Sequence, residues 1–202
     1  MKSKRSLTSI IILSIVFIII TILVLTNNTK TFDDNVYNLI FSIRNNFFDT
    51  FFRTITKLGN ATTILILIPI FFLLLKEKDK LLLLIVNIVS ITFNEVFKHI
   101  IRRPRPAHLR LIKQGGFSYP SGHAMVSIAL YGFLIYIVNK YIKNKYLKIT
   151  LITLLSLIII GIGISRIYVG VHYPSDVLSG YVLSILLSII TINLYKKYYR
   201  GN

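Results

Sequence analysis

The chain has 202 residues, 54% of them hydrophobic, with a mean hydropathy of +0.69 and a formal net charge of +17. So apolar a composition argues against an ordinary soluble domain and for one polytopic membrane domain. The absence of cysteine excludes disulfides, thiolate nucleophiles and cysteine-ligated zinc. Basic residues spread over short loops between greasy runs suit bilayer topology and anionic lipid, and argue against nucleic acid as a partner.

Taken in chain order, the first apolar run, 7–25, follows Lys2, Lys4 and Arg5 as a secretory signal would. It is too long for one and has no small-residue cleavage site after it, so it reads as an uncleaved anchor. Residues 32–58 differ in character: Val36, Ile40, Ile43, Phe47, Phe51, Ile55 and Leu58 recur at steps of three and four, with Asn38, Arg44, Asn45 and Asp49 between them. That pattern predicts an amphipathic interfacial helix rather than a span. Five further spans are expected at 59–75, 81–97, 121–139, 149–165 and 174–195. Pro69 falls inside the first of these, where a packed bundle tolerates a kink. The expected architecture is therefore an all-α integral membrane bundle of six transmembrane helices in a single domain. Gly161 and Gly163 read as points of close helix packing.

Orientation follows from the loop charges. With the N-terminus cytoplasmic, the inner segments hold thirteen Lys and Arg residues. The outer ones hold four once the seven around the polar motifs are set aside, which places the N-terminus inside.

Three polar stretches carry the chemistry: "KHIIRRPRP" at 98–106, "YPSGHA" at 119–124 and "SRIYVGVHYPSD" at 165–176. Alternating spans bring the end of the third, the start of the fourth and the fifth–sixth junction to one face, here the extracytoplasmic one. Lys98, Arg105 and Arg166 read as three cations without matching carboxylates nearby, and such a cluster suits a phosphate. Ser121, Gly122 and His123 open a helix after Pro120, offering backbone N–H groups to an anion, with no side chain on Gly122 to hold it away. His172 and Asp176 are four apart, so at a helix start they share a face. Asp176 can then fix the His172 tautomer and leave the other ring nitrogen free to attack phosphorus. His123 can protonate the leaving oxygen and later activate water. A phosphohistidine divides one difficult hydrolysis into two easier steps.

These stretches resemble the type 2 phosphatidic acid phosphatase family, which shares its site design with the vanadium haloperoxidases. The family pattern K-x6-R-P, P-S-G-H and S-R-x5-H-x3-D is matched at Lys98, Arg105 and Pro106, at Pro120–His123, and at Ser165, Arg166, His172 and Asp176, without departure. The likeness spans roughly residues 50–195. It implies His172 as nucleophile, His123 as acid–base group and Asp176 as its partner. Lys98, Arg105, Arg166, Ser121 and Gly122 would hold the phosphate, with no cofactor and no metal.

His99 and His108 fall off the signature and read as interfacial residues. Arg102, Arg103, Arg110 and Lys113 divide between steering anionic head groups and solvated loop charge. Glu95, with Asn87 and Asn94, reads as a buried hydrogen-bonding group. The seven carboxylates, Asp33 among them, do not cluster in the sequence at the converging face, which argues against a metal-dependent phosphatase. A phospholipid transporter would use the cations but has no need of His172 paired with Asp176. A haloperoxidase fits a membrane-embedded site poorly, and a lipid phosphotransferase would differ only in its acceptor. The expected function is a lipid phosphatase, bacterial in style from its compactness. Charge in the 102–113 loop ranks a polyprenyl (undecaprenyl) diphosphate first, phosphatidylglycerol phosphate second and phosphatidic acid third.

Overall fold

A computed structural model describes residues 2–107 and 109–199; Met1, His108 and residues 200–202, Arg200 among them, lie outside the described residues. Among the described residues the chain is helix and connecting loop. The helices are α1 (Lys2–Leu25), α2 (Lys30–Ser42), α3 (Asn46–Ile55), α4 (Ala61–Leu74), α5 (Glu77–Ile101), α6 (Gly122–Tyr141), α7 (Lys145–Tyr168) and α8 (Pro174–Tyr199). α3 continues through a tight 3-10 turn at Thr56–Gly59, and α6 carries a π-helical turn at Ile128–Gly132.

Five helices, α1 and α5 to α8, are long and apolar enough to cross a membrane, and they coincide with five of the six expected spans. The remaining one differs. α4 has only 14 residues, about 21 Å at the helical rise, against roughly 30 Å of hydrocarbon. It makes a span only together with Asn46–Gly59, from which it bends by 52°. The expected interfacial helix over 32–58 is likewise two helices, because Asn45 interrupts it and starts α3 by accepting from the Phe48 N–H at 2.9 Å. Its apolar stripe is split: Ile43, Phe47 and Phe51 are exposed, Ile40, Ile55 and Leu58 pack against the core, and Asp33, Tyr37 and Phe52 are buried. A polar anchor at Asp33 sets the roll of α2, and lipid can accept the exposed aromatics.

The core lies where α5, α6 and α7 meet, built on Leu82, Leu83, Val86, Leu130, Phe133 and Ile162. Gly163 allows α7 and α8 to close on one another, since a Cβ there would stand 2.8 Å from Val177 Cγ1. Gly161 does the same for α7 and α3, where the Cβ would lie 3.3 Å from Ile55. α1 and α8 run antiparallel: Asn193 bonds Ser6 at one end of the bundle, and Thr21 bonds Tyr119 at 2.7 Å near the other. At the first of these ends Asp79 is buried against Lys140 and Tyr141, tying α5 to α6. The second end collects the C-termini of α1, α5 and α7, the N-termini of α4, α6 and α8, and all three polar stretches.

Candidate active site

Five residues, 169–173, connect α7 to α8 and form a tight turn. Gly170 takes φ +77°, and a Cβ on it would meet the Leu109 carbonyl at 2.5 Å, so glycine is required twice over. The Val171 and His172 N–H groups both donate to the Arg166 carbonyl, at 3.2 and 3.3 Å, and Leu111 N–H donates to Val169 O at 3.0 Å. This clamps the 103–118 loop against the turn. Pro174 opens α8, where a missing N–H costs nothing, and Asp176 sits in its first turn. One Asp176 oxygen, Oδ2, accepts from Tyr173 N–H at 2.9 Å and lies 3.4 Å from His172 Nδ1.

The other ring nitrogen faces a cation. Arg105 Nη1 stands 3.1 Å from His172 Nε2, and since a guanidinium only donates, Nε2 must carry the lone pair. The proton then belongs on Nδ1, toward Asp176. Burial pushes the His172 imidazolium down to about 4, against the pull of Asp176, so the ring is neutral near pH 7. His172 is 3% exposed and Asp176 fully buried.

Arg105 is itself held by three carbonyls, Gly115 and Gly116 through Nε and Val171 through Nη1. Arg166, 1% exposed, donates to Thr56 Oγ1 at 2.7 Å and to Gln114 Oε1 at 3.1 Å, leaving its Nε without a partner. Ser121 precedes α6 but does not cap it. Its N–H bonds the Asp176 carbonyl at 3.0 Å, while its buried Oγ has no partner. Among the described residues five buried polar side-chain atoms are left unsatisfied, and three of them are Ser121 Oγ, Arg166 Nε and His172 Nδ1. His172 Nδ1 faces Asp176 beyond ordinary hydrogen-bond length, which leaves Ser121 Oγ and Arg166 Nε as buried donors that cost free energy without an acceptor.

Gly122 begins α6 beside α5: a Cβ on it would be 2.9 Å from Asn94 Oδ1 and 3.6 Å from Lys98 Nζ. Lys98 is not free of carboxylate, as the sequence suggested, because Glu95 one turn earlier on α5 pairs with it at 3.0 Å. Glu95 is exposed rather than buried, while Asn94 is buried and donates to the Pro120 carbonyl at 3.0 Å. His123 follows on the first turn, with Nε2 at 2.7 Å from Asn60 Oδ1, and Lys98, Arg105, Arg166 and His172 all lie within electrostatic reach of it. The structure thus gathers Lys98, Arg105, Ser121, Gly122, His123, Arg166, His172 and Asp176 at one end of the bundle.

Sequence reasoning missed several neighbours. Arg103 is neither a steering charge nor a solvated one. It bonds Asp176 Oδ1 at 2.6 Å and Asp33 Oδ2 at 2.8 Å, and lies 4.0 Å over the Tyr173 ring. Asp33, dismissed as remote, comes to the site on α2. Asn60 gave only a weak signal, a polar residue just before an apolar run. Arg102, Arg110 and Lys113 are exposed, and His99 stays on the outer surface of α5 against Phe117. Among the described residues no three His, Asp or Glu side chains come together as a metal-ligand group.

The PAP2 superfamily model matches residues 79–200, and the chain belongs to that superfamily. It is 32% identical to phosphatidylglycerophosphatase B of Bacillus subtilis over 176 residues, covering 85% of this chain and 87% of the relative. It is 30% identical to the undecaprenyl-diphosphatase of Sulfolobus acidocaldarius over 137 residues, covering 63% and 62%. Among solved structures, the transmembrane PAP2 type phosphatidylglycerolphosphate phosphatase from Bacillus subtilis superposes with a TM-score of 0.85 at 30% identity, over 94% of this chain and 97% of that one. Aquifex aeolicus LpxE, at 24% identity and a TM-score of 0.66 over 79% of this chain and 93% of that one, shares the fold.

Proposed function

We propose that this protein hydrolyses a lipid phosphomonoester through a phosphohistidine on His172, at the extracytoplasmic face. The observation that carries the mechanism is the pairing at the imidazole, with Asp176 on the Nδ1 side and Arg105 3.1 Å from Nε2. A neutral ring in that tautomer presents its lone pair to phosphorus while the adjacent guanidinium takes phosphate oxygens. Nε2 bonds to phosphorus as the ester P–O bond breaks, and the leaving alkoxide takes a proton from His123. Water then gives its proton to His123 as it attacks phosphorus, the N–P bond breaks, and inorganic phosphate departs. Lys98, Arg166, Ser121 Oγ and the Gly122 N–H hold the equatorial oxygens, where charge grows in the transition state. Asn60 holds the His123 ring in place.

For substrate we rank a phosphatidylglycerol phosphate first, reversing the order that loop charge suggested. That order counted Arg103 among the surplus cations, and Arg103 is spent on two carboxylates. Exposed Arg102, Arg110 and Lys113 remain, but what is left no longer calls for a diphosphate. The similarity to phosphatidylglycerophosphatase B supports the same choice.

The test is a detergent assay of kcat/KM on phosphatidylglycerol phosphate, a polyprenyl diphosphate and a water-soluble phosphomonoester. The first should exceed the soluble ester by about tenfold or more, since one methylene in an apolar pocket is worth ~1–3 kcal/mol. Turnover should survive EDTA, and acid-quenched enzyme should carry acid-labile phosphate that His172→Ala abolishes. Phosphate trapped on Ser121, or equal efficiency on the soluble ester, would overturn the mechanism or the lipid selectivity respectively. A higher kcat/KM on the diphosphate would overturn the ranking.

A further inference from the structure

Behind Asp176 lies a buried polar assembly whose other members the reaction above does not use. Arg103 enters from the loop after α5 and divides its guanidinium between two carboxylates. Nη1 donates to Asp176 Oδ1 at 2.6 Å and Nη2 to Asp33 Oδ2 at 2.8 Å. Asp33 is 1% exposed and also accepts from the Ser175 N–H and hydroxyl, each at 2.8 Å. Ser175 Oγ and Thr29 Oγ1 accept from Arg103 at 2.8 and 3.2 Å. A network so fully satisfied fixes its members rigidly.

Geometry alone would need only Arg103 to lock Asp176, but that lock has an electrostatic cost. When Nε2 bonds to phosphorus, the imidazole becomes cationic and needs the negative charge of Asp176 at 3.4 Å. An arginine bonded to that carboxylate would cancel most of the field. Two carboxylates around one guanidinium leave one net negative charge, so the second restores what the lock removes.

We propose that Asp33 and Arg103 are a positioning pair for the nucleophile: Arg103 aims Asp176, and Asp33 neutralises Arg103 so that Asp176 still acts on His172 as an anion. The inference rests on His172 being the nucleophile. It gives α2, a helix at the rim of the bundle, a direct hold on the chemistry. The charged groups facing His172 are Asp176, Arg105 and Arg166, with His123 within electrostatic reach, and none of these is altered in the test.

The test uses the full chain in detergent and a water-soluble phosphomonoester, with Asp33→Asn, Arg103→Gln and the double variant. Asn keeps the shape and an acceptor for Arg103. Asp33→Asn should lower kcat by about 10- to 100-fold, the usual cost of losing a partner that orients a reacting group. KM should stay within about threefold, because the lost interaction is made in the transition state. Removing the Arg103 charge as well restores the net negative charge, so the double variant should recover at least about fivefold over Asp33→Asn, a coupling of opposite sign to simple damage. Asp33→Glu should retain more activity than Asp33→Asn. In NMR spectra of labelled histidine, His172 should titrate lower in Asp33→Asn than in wild type and return upward in the double variant. A double variant as slow as or slower than Asp33→Asn, or a change confined to KM, would overturn the pair. Wild-type enzyme lacking turnover or phosphohistidine would instead defeat the phosphatase reading, and the order of His172 titrations would still decide the pair.

Discussion

Gly122→Ala puts one methyl group where α5 and α6 come closest at the site. The new Cβ would stand 2.9 Å from Asn94 Oδ1, 3.5 Å from Asn94 Cγ and 3.6 Å from Lys98 Nζ. The oxygen contact is about half an ångström too short, so one side must give. Asn94 is 4% exposed and holds the Pro120 carbonyl at 3.0 Å and Met125 Sδ at 3.3 Å, which leaves its side chain little room. If Asn94 turns away, the Pro120 bond is lost at a net cost of about 1 kcal/mol. If it stays, the start of α6 shifts instead, carrying Ser121 and His123 with it. A displacement approaching 1 Å at reacting groups can lower the rate about 100-fold. The expected result is a kcat/KM reduced roughly 30- to 100-fold by misplacement, with stability in detergent lowered by only about 1 kcal/mol. Steady-state kinetics on a soluble monoester and a thermal melt of the same sample measure the two together. A variant within about twofold of wild-type kcat/KM would refute the claim that the close approach of α6 to Asn94 sets the site geometry.

Two further expectations follow from the same geometry. His172 is held neutral, with its titration depressed from the ordinary 6.5 to about 4. The stability this confers is therefore present above pH 6.5 and lost as the pH falls toward 4, by on the order of 3 kcal/mol. Melts of wild type and His172→Gln should diverge over that window, and parallel curves would contradict it. For topology, single cysteines at Gly115 and Asn144 in the cysteine-free chain should label oppositely from outside intact cells, Gly115 reacting and Asn144 protected, because they lie at opposite ends of the bundle. Labelling of both from one side would contradict the arrangement of spans.

Five of the crossing helices and the family were legible in the sequence because both signals are local. Hydropathy is carried by consecutive residues, and the motifs by short fixed spacings such as His172 to Asp176, four residues apart. The fold class and the phosphatase identity follow from those two signals together. What the sequence misjudged was which groups meet in space and where the chain turns. Lys98 looked unpaired although Glu95 stands one turn away, because composition does not say which rotamers meet. α4 read as a full span because apolar residues continue from Leu58, but the turn at Thr56–Gly59 changes the chain direction. The roll of α2 was decided by Asp33, which an apolar periodicity would have left in the solvent. Only the tertiary structure brings Asp33, 70 residues before Arg103, to the back of Asp176. A buried charge must find its partner wherever the fold provides one, and no local rule in the chain records that distance.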